Sequence, residues 1–349
     1  MIKNITVLTL LIFNISLSST YFVPGDFGSI QEAIDESVNG DSIFVDPGIY
    51  FENINFNGKS IILSSRYILD SDSLLIGTTI IDAGSDGSVV SFNSEENSSS
   101  ILQGFTLQNG NGNNEDPDGN GSFYTYGGGV YCENADPLIK DCIIQNNTAN
   151  EGGGAGIFCY ESSPTFIGCT IKQNETDDVG GGLYARDGSS PSFFNCTFFD
   201  NLAEFGGGCY LKSTSTPYME NVLFIQNTAN NSGGGMGLKD NADIEGTNLH
   251  ISQNIAEGLG GGIYINNADP VLSFALISDN TASSGGGIYI RNNSEIDLTN
   301  LTMANNNAGL YGSGIYMRDN SIVNLLNSIL WNNSSSQIYF RTLEYLSRI

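Results

Sequence analysis

The stretch Gly260-Gly261-Gly262-Ile263-Tyr264-Ile265 decides how this chain is organised. Close copies of it recur, and each copy opens on a Gly-x-Gly triplet. The triplets begin at Gly127, Gly154, Gly180, Gly206, Gly233, Gly260, Gly285 and Gly312. Successive triplets start 25 to 27 residues apart. A fixed period of this size predicts a solenoid, in which each unit buries its apolar face only against its neighbours.

The pattern inside each copy predicts strands. Ile263 and Ile265 occupy positions that are aliphatic or small in every copy, and period-two alternation places both on one inward face. A second strand carries another apolar pair, such as Val222 and Phe224, and an x-Pro corner such as Asp269-Pro270 recurs at the same period. These features favour an all-β solenoid, a parallel β-helix with about 26 residues and three strand faces per coil.

An asparagine follows the second strand in every coil. The column comprises Asn147, Asn174, Asn201, Asn227, Asn254, Asn280, Asn306 and Asn333. Asparagine tolerates the left-handed conformation of a bend, and its amide can bond to the amide of the next coil. We therefore expect a stacked asparagine ladder at one corner of the solenoid.

The N-terminal part predicts a cover for one end of the stack. Ser29-Ile30-Gln31-Glu32 forms a capping box, and apolar residues then follow at helical spacing up to Val38. We expect a short amphipathic helix over Ser29–Asn39. An uncovered solenoid end would expose core and unpaired strand edges, so the helix is expected to cover it.

Two family resemblances follow from these motifs. The segments Ser29–Ile34, Gly40–Ile43, Pro47–Tyr50 and Glu52–Ile54 resemble the opening of secreted right-handed parallel β-helix proteins of the pectin-lyase-like superfamily. The alternation of Gly-Gly-x-Ile-like and Phe-x-x-Asn-like motifs over roughly 105–335 resembles the repeats of chlamydial polymorphic outer membrane proteins. The resemblances imply a right-handed helix and a secreted or cell-surface protein, with the outer membrane as one such location.

The chain divides into a targeting segment and one domain. Residues 1–20 combine a basic Lys3, an apolar stretch and a small polar end, which predicts a secretory signal; the alternative is a buried first strand. A single β-helix domain is expected over 21–349, with the cap and first coils at 21–110, a polar loop insertion at 111–126 and regular repeats at 127–340. No segment of the mature chain predicts a membrane-spanning helix.

Charge limits the possible partners. The 349 residues include 38 acidic and 12 basic side chains, for a net charge of -26. Nucleic acid and anionic membranes are therefore not expected as partners of the body as a whole. The six cysteines follow the repeat period at positions that hold aliphatic residues in other coils, which favours buried thiols over a disulfide ladder.

Two columns of side chains are expected to face outward on the glycine-rich strand. The first comprises Tyr131, Phe158, Tyr184, Tyr210, Gly237, Tyr264, Tyr289 and Tyr316, and the second, two residues later, is rich in Arg and Lys. One interpretation is structural, with stacked tyrosines stabilising an exposed sheet and cations packed on them. The other is a strip that binds a polysaccharide or cell-surface glycan. Its residues would be Tyr184, Arg186, Tyr210, Lys212, Lys239, Tyr264, Tyr289, Arg291, Tyr316 and Arg318.

Metal binding and catalysis have weaker signals. Asp116, Asp118 and Asn120 offer closely spaced oxygens that resemble a calcium loop, although a solvated acidic loop is the alternative. No other cofactor is expected. Outward carboxylates scatter over the coils, so no catalytic residues are assigned. The main hypothesis is a secreted or surface adhesion module, and the alternatives are a polysaccharide lyase or glycoside hydrolase and a structural spacer.

Overall fold

A computed structural model describes residues 18–70, 72–117 and 119–341. The chain is a right-handed parallel β-helix of about 11 turns, with three long parallel sheets around one core. The predicted fold class is thus confirmed. Most of the predicted signal segment, residues 1–17, lies outside the described residues.

Each coil contributes one strand to each of three core sheets. The strands of the first core sheet are Thr20–Val23, Ser42–Val45, Ile62–Ser65, Ile101–Gln103, Leu138–Lys140, Thr165–Ile167, Ser192–Phe194, Tyr218–Glu220, Glu245–Thr247, Val271–Ser273, Glu295–Thr299 and Ile322–Leu326. Those of the second are Gly48–Phe51, Thr79–Asp82, Thr106–Gln108, Ile143–Gln145, Thr170–Lys172, Thr197–Phe199, Leu223–Ile225, His250–Ser252, Leu276–Ser278, Thr302–Ala304 and Ile329–Trp331. Those of the third are Ile54–Asn55, Val90–Phe92, Val130–Glu133, Ile157–Tyr160, Leu183–Arg186, Cys209–Lys212, Met236–Lys239, Ile263–Asn266, Ile288–Arg291, Ile315–Arg318 and Ile338–Arg341.

Two smaller sheets lie beside the third core sheet and were not predicted. One, the lateral sheet, has the strands Thr148–Ala149, Glu175–Thr176, Leu202–Phe205, Thr228–Ser232, Ile255–Ala256, Thr281–Ser284 and Asn307–Tyr311. The other joins an antiparallel hairpin, Asn113–Glu115 with Tyr124–Tyr126, to the strand Glu151–Gly153. The predicted loop insertion is therefore partly a hairpin, and it packs on the side of the helix.

The interior holds one continuous apolar cluster, as the alternation predicts. Ile263 and Ile265 are at most 1% exposed and belong to one core cluster that runs the length of the helix. All six cysteines are buried free thiols, as the sequence favours. Burial in this apolar interior raises the pKa of Cys142 to about 12, which keeps that thiol protonated.

Glycine is needed where coils approach most closely. A Cβ built on Gly207 would lie 2.3 Å from the carbonyl oxygen of Thr228 and 2.7 Å from that of Gly234. Both atoms are backbone, so a side chain at this position has nowhere to go. The repeated triplet is therefore required by the packing of one coil on the next.

The asparagine ladder forms, with one correction. Asn227 donates from Nδ2 to Asn254 Oδ1 at 3.0 Å and to the Phe198 carbonyl at 3.0 Å, and its backbone N–H also donates to Asn254 Oδ1. The left-handed conformation belongs to the preceding residue, such as Gln226 with φ 58°, and not to the asparagine itself. The ladder residues turn inward and satisfy buried backbone groups at the corner.

Three helices occur among the described residues, at Ile30–Glu36, Tyr67–Asp70 and Leu74–Thr78. The first buries Ile30, Ala33 and Ile34 against the first coil, which confirms the predicted cap. It ends three residues earlier than expected, because the Ser37 hydroxyl bonds to the Ala33 carbonyl at 2.6 Å.

Candidate functional site

The third core sheet carries the candidate site on its outer face. Its strands pair in register, so that Tyr264 stacks beside Tyr289 and Lys212 lies beside Lys239. The residues of each outward column predicted from the sequence therefore lie next to one another on adjacent strands. We name them the aromatic column, with Tyr264 as an example, and the basic column two residues further along each strand.

The aromatic column is not exposed to solvent, which corrects the expectation of open stacking surfaces. Its tyrosines are only 0 to 7% exposed, although they point away from the main core. They form separate clusters with residues that immediately precede the glycine triplets, among them Val179, Phe205 and Leu259. The lateral sheet positions these covering residues, and no signal for that sheet was used in the prediction.

The column consists of two stacks. In the first stack the ring centroids of Phe158 and Tyr184 are 5.5 Å apart and those of Tyr184 and Tyr210 are 6.0 Å apart. In the second, the centroid distances are 5.9 Å between Tyr264 and Tyr289 and 4.8 Å between Tyr289 and Tyr316. The two stacks belong to different clusters, and Gly237 is the column member between them.

A pocket of about 370 Å³ lies where the two stacks meet, between Tyr210 and Tyr264, and we name it the Gly237 pocket. Its lining residues are Asp178, Val179, Tyr184, Phe205, Tyr210, Lys212, Lys239, Tyr264, Asn266 and Arg291. Tyr210 leans into the gap, since a Cβ on Gly237 would lie 2.7 Å from its ring. Aromatic rings thus form two of its walls.

Three cations line the Gly237 pocket, on a chain with a net charge of -26. Lys239 lies 3.8 Å from Asp240, at a half-exposed pair. Within the part of the chain that the structure describes, Lys212 and Arg291 form no ion pair. The Arg291 guanidinium lies 5.3 Å from the Tyr264 ring centroid, and its Nε is buried without a hydrogen-bond partner. Lys212 and Arg291 attract an anion because neither is neutralised by an ion pair within the described residues.

Asp178 contributes a carboxyl group to the same pocket. Burial raises its pKa, and the nearby negative charge of Asp177 adds to that effect, whereas Lys212 opposes it. The carboxyl can accept hydrogen bonds from hydroxyl groups. A ring-walled pocket with three cations and one carboxyl suits a small polar molecule that bears both hydroxyl and acidic groups.

The predicted strip is only partly assembled at this site. Six of its ten residues line the pocket, namely Tyr184, Tyr210, Lys212, Lys239, Tyr264 and Arg291. Arg186 is 9% exposed and pairs with Asp187, while its guanidinium lies 5.7 Å from the Tyr160 ring centroid. Tyr289, Tyr316 and Arg318 lie further along the column. The sequence did not identify Asp178, Val179 or Phe205, since they reach the pocket from outside the repeat motif.

The calcium prediction remains untested. The Asp116 carboxylate accepts hydrogen bonds from the backbone N–H groups of Asn120 at 3.1 Å and Gly121 at 2.7 Å, and Asn120 Oδ1 accepts one from Ser122. Asp118 lies outside the described residues. No group of three or more His, Cys, Asp or Glu residues that could hold a metal is found among the residues described.

Comparison with known proteins agrees with the fold. Together, these coils define a right-handed parallel β-helix protein. A family model described as a right handed beta helix region matches residues 118–273. The repeat resemblance to chlamydial outer membrane proteins stays a prediction. No curated protein matches the chain, and no described helix is long and apolar enough to cross a membrane.

Three solved structures show the range of similar proteins. The mannuronan C-5 epimerase AlgE4 A-module of Azotobacter vinelandii is 15% identical, with 92% of this chain and 97% of that chain covered and a TM-score of 0.50. The AlgE6 A-module of the same organism is 15% identical, with 92% of this chain and 99% of that chain covered and a TM-score of 0.41. Carrot pectin methylesterase is 12% identical, with 95% of this chain and 90% of that chain covered and a TM-score of 0.32. At such identities the likeness concerns the fold alone, which this chain shares with enzymes.

Proposed function

We propose that this chain is a binding module for an anionic saccharide, which it holds in the Gly237 pocket. One observation carries the proposal: the single gap in the aromatic column coincides with Lys212, Lys239 and Arg291. A gap alone would be a packing defect. Cations alone would be a solvated face. Their coincidence in one pocket supports a ligand site.

The chemistry of the pocket matches each part of such a ligand. Lys212, Lys239 and Arg291 offer charged hydrogen-bond donors for carboxylate or sulfate groups, which the acidic body would otherwise repel. Tyr210 and Tyr264 offer ring edges and faces to the apolar side of a sugar ring. Asp178 can accept hydrogen bonds from its hydroxyls.

A titration series tests the proposal directly. Calorimetry with polygalacturonate, polymannuronate and dextran is expected to show binding of an acidic polymer and not of neutral dextran. Lys212→Gln with Lys239→Gln should weaken the binding at least about tenfold, because charged hydrogen bonds are each worth about 1.5–3 kcal/mol. Lys172→Gln removes one lysine charge from the second core sheet, away from the pocket, and is the control for each of the two substitutions made singly. Binding that is equal for dextran, or unchanged in the double variant, would contradict the proposal.

Filling the pocket gives a second test that leaves all charges in place. Gly237→Tyr restores the missing ring, so it should abolish binding without unfolding the chain. Circular dichroism and the unfolding midpoint verify the fold of the variant. Retained affinity in a folded Gly237→Tyr chain would place the ligand elsewhere.

Secretion or display at the cell surface is part of the same proposal, and residues 1–20 support it. A surface module that holds a saccharide would act in adhesion. N-terminal sequencing of the exported chain tests the location, since a removed signal would leave a new first residue near position 21. A chain recovered intact in the cytoplasm would contradict it.

Asp178 favours a second candidate, chemical modification of the bound saccharide. A carboxyl group with a raised pKa beside a lysine can move a proton on and off a bound uronate. If the pocket is a lyase site, incubation with polygalacturonate or polymannuronate releases unsaturated ends, and Asp178→Asn stops the release. Unaltered polymers after prolonged incubation would exclude this candidate and leave binding intact.

A further inference from the structure

We infer that the Gly237 pocket takes the end unit of an acidic chain, whose remaining units run over the C-terminal coils toward Arg341. This extended site rests on the proposed function and deepens it, because it sets the length and direction of the ligand. The evidence is an asymmetry between the two sides of the pocket.

The N-terminal side is closed by the hairpin and by internal pairing. The Tyr126 ring lies 4.5 Å from that of Phe158, which places the hairpin over the first stack of the aromatic column. The Tyr160 hydroxyl donates to the Pro117 carbonyl at 3.1 Å and so ties the loop to the basic column. Arg186, the first cation on this side, is buried and paired with Asp187. A polymer therefore meets a wall in this direction.

The C-terminal side remains open and basic. From Lys239 the column continues through Asn266 and Arg291 to Arg318, and Arg318 pairs in register with Arg341. The side chain of Arg318 is one-third exposed and Arg341 is exposed. Acidic residues are rarer here, with Asp319 beside Arg318 at 2.7 Å as the closest counter-charge.

The dimensions suit a short oligomer. The five steps from Lys212 to Arg341 span about 24 Å, at about 4.8 Å for each coil. A cation occupies every level of this span except that of Asn266. A linear polyanion with regularly spaced acidic groups can therefore contact several coils at once, whereas a single acidic sugar contacts only the pocket.

Oligogalacturonates of two to eight units, each titrated against the full chain, test the inference. Each of the two added arginine contacts, with Arg318 and Arg341, is expected to strengthen binding about two- to fivefold, so the octamer should bind about four- to 25-fold tighter than the dimer. Arg318→Gln with Arg341→Gln should reduce the octamer-to-dimer ratio of affinities to about two. The same ratio should be unchanged in Lys172→Gln, which lies off the column.

The outcomes separate this inference from the function on which it rests. Equal affinity for all lengths, with binding still lost in Lys212→Gln/Lys239→Gln, would overturn the extended site and leave the pocket. A length dependence that survives Arg318→Gln/Arg341→Gln would also overturn it, since the added units would then lie elsewhere. Failure of every oligomer to bind would overturn both.

Discussion

Two columns of side chains run the length of this solenoid, and they differ in continuity. The asparagine ladder holds one residue type from Asn147 to Asn333, buried and bonded from coil to coil. The aromatic column is interrupted once, at Gly237, and a pocket lies there. The difference indicates which features the fold requires and which it can lose. An unbroken column holds the coils together, and a break at one level provides space for a ligand.

The ladder should be the most sensitive to change. Asn227→Ala removes the side-chain bonds to Asn254 and Phe198 and leaves the amide of Asn201 without its acceptor. Several buried polar groups then lack partners, so the free energy of unfolding should fall by about 3–5 kcal/mol. Urea denaturation of the variant and of the unaltered chain measures this loss in the free energy of unfolding. The matched control is Asn230→Ala, at an exposed position of the lateral sheet. A loss no greater than that of the control would show that the ladder is dispensable.

Two glycines in neighbouring coils sharpen the comparison between positions that the fold requires and positions that it can lose. Gly207→Ala forces a Cβ onto backbone carbonyls and should lower the free energy of unfolding by about 3 kcal/mol. At Gly237 the nearest atoms belong to the Tyr210 ring, which can swing away, so Gly237→Ala should cost less than about 1 kcal/mol. Thermal unfolding of both variants tests the difference. Equal losses would mean that Gly237 is structural as well.

Alkaline pH should weaken the aromatic column. Burial raises the pKa of Tyr184, Tyr210, Tyr264 and Tyr289, so the folded chain keeps phenol protons that the unfolded chain releases near pH 10. The stability is complete below about pH 10 and should fall above it by up to about 1.4 kcal/mol per pH unit for each tyrosine. Urea denaturation from pH 9 to 11.5, with phenolate absorbance, follows both events. Native tyrosines that ionise near pH 10 would contradict this.

Restoring the missing ring should have the smallest effect on stability, and the opposite sign. Gly237→Tyr would join the two stacks and replace a flexible glycine within a strand, which should raise the free energy of unfolding by about 1 kcal/mol. Denaturation of the variant beside Gly237→Ala isolates the contribution of the ring. A lower stability for the tyrosine variant than for the alanine variant would mean that the gap is too small for a ring.

The parts of the fold that repeat could be predicted from the sequence. Inward residues such as Ile263 follow from period-two alternation, and the ladder follows from Asn227 and its counterparts at a fixed spacing. The cap over Ile30–Glu36 follows from its capping box. The core and the ladder depend on local chemistry that recurs from coil to coil, and the cap depends on a local motif of its own. The errors concern details, such as the helix end at Glu36 and the residue that takes the left-handed conformation before each ladder asparagine.

The candidate site was harder to predict from the sequence, because it depends on segments that cover the aromatic column from outside the repeat motif. Tyr264 points out of the core as predicted, but Leu259, which bridges to Ser232 and Ser284 of the lateral sheet, covers it. The strands of that sheet are too short to show alternation. A column of small residues such as Ala229 and Ala256 marked that sheet in the sequence. Gly237 stood in the aligned column too, and its meaning appears only once its neighbours are known to be buried rings.

The equal frame of every coil has a further consequence. Since the absence of one ring marks the pocket, a single codon determines the position of the pocket along the solenoid axis. Any coil between the hairpin and Tyr316 could carry it. A descendant chain could relocate the cavity, or acquire two, without redesigning the scaffold. The distance from the pocket to the end of the solenoid would then set the length of ligand that the protein binds.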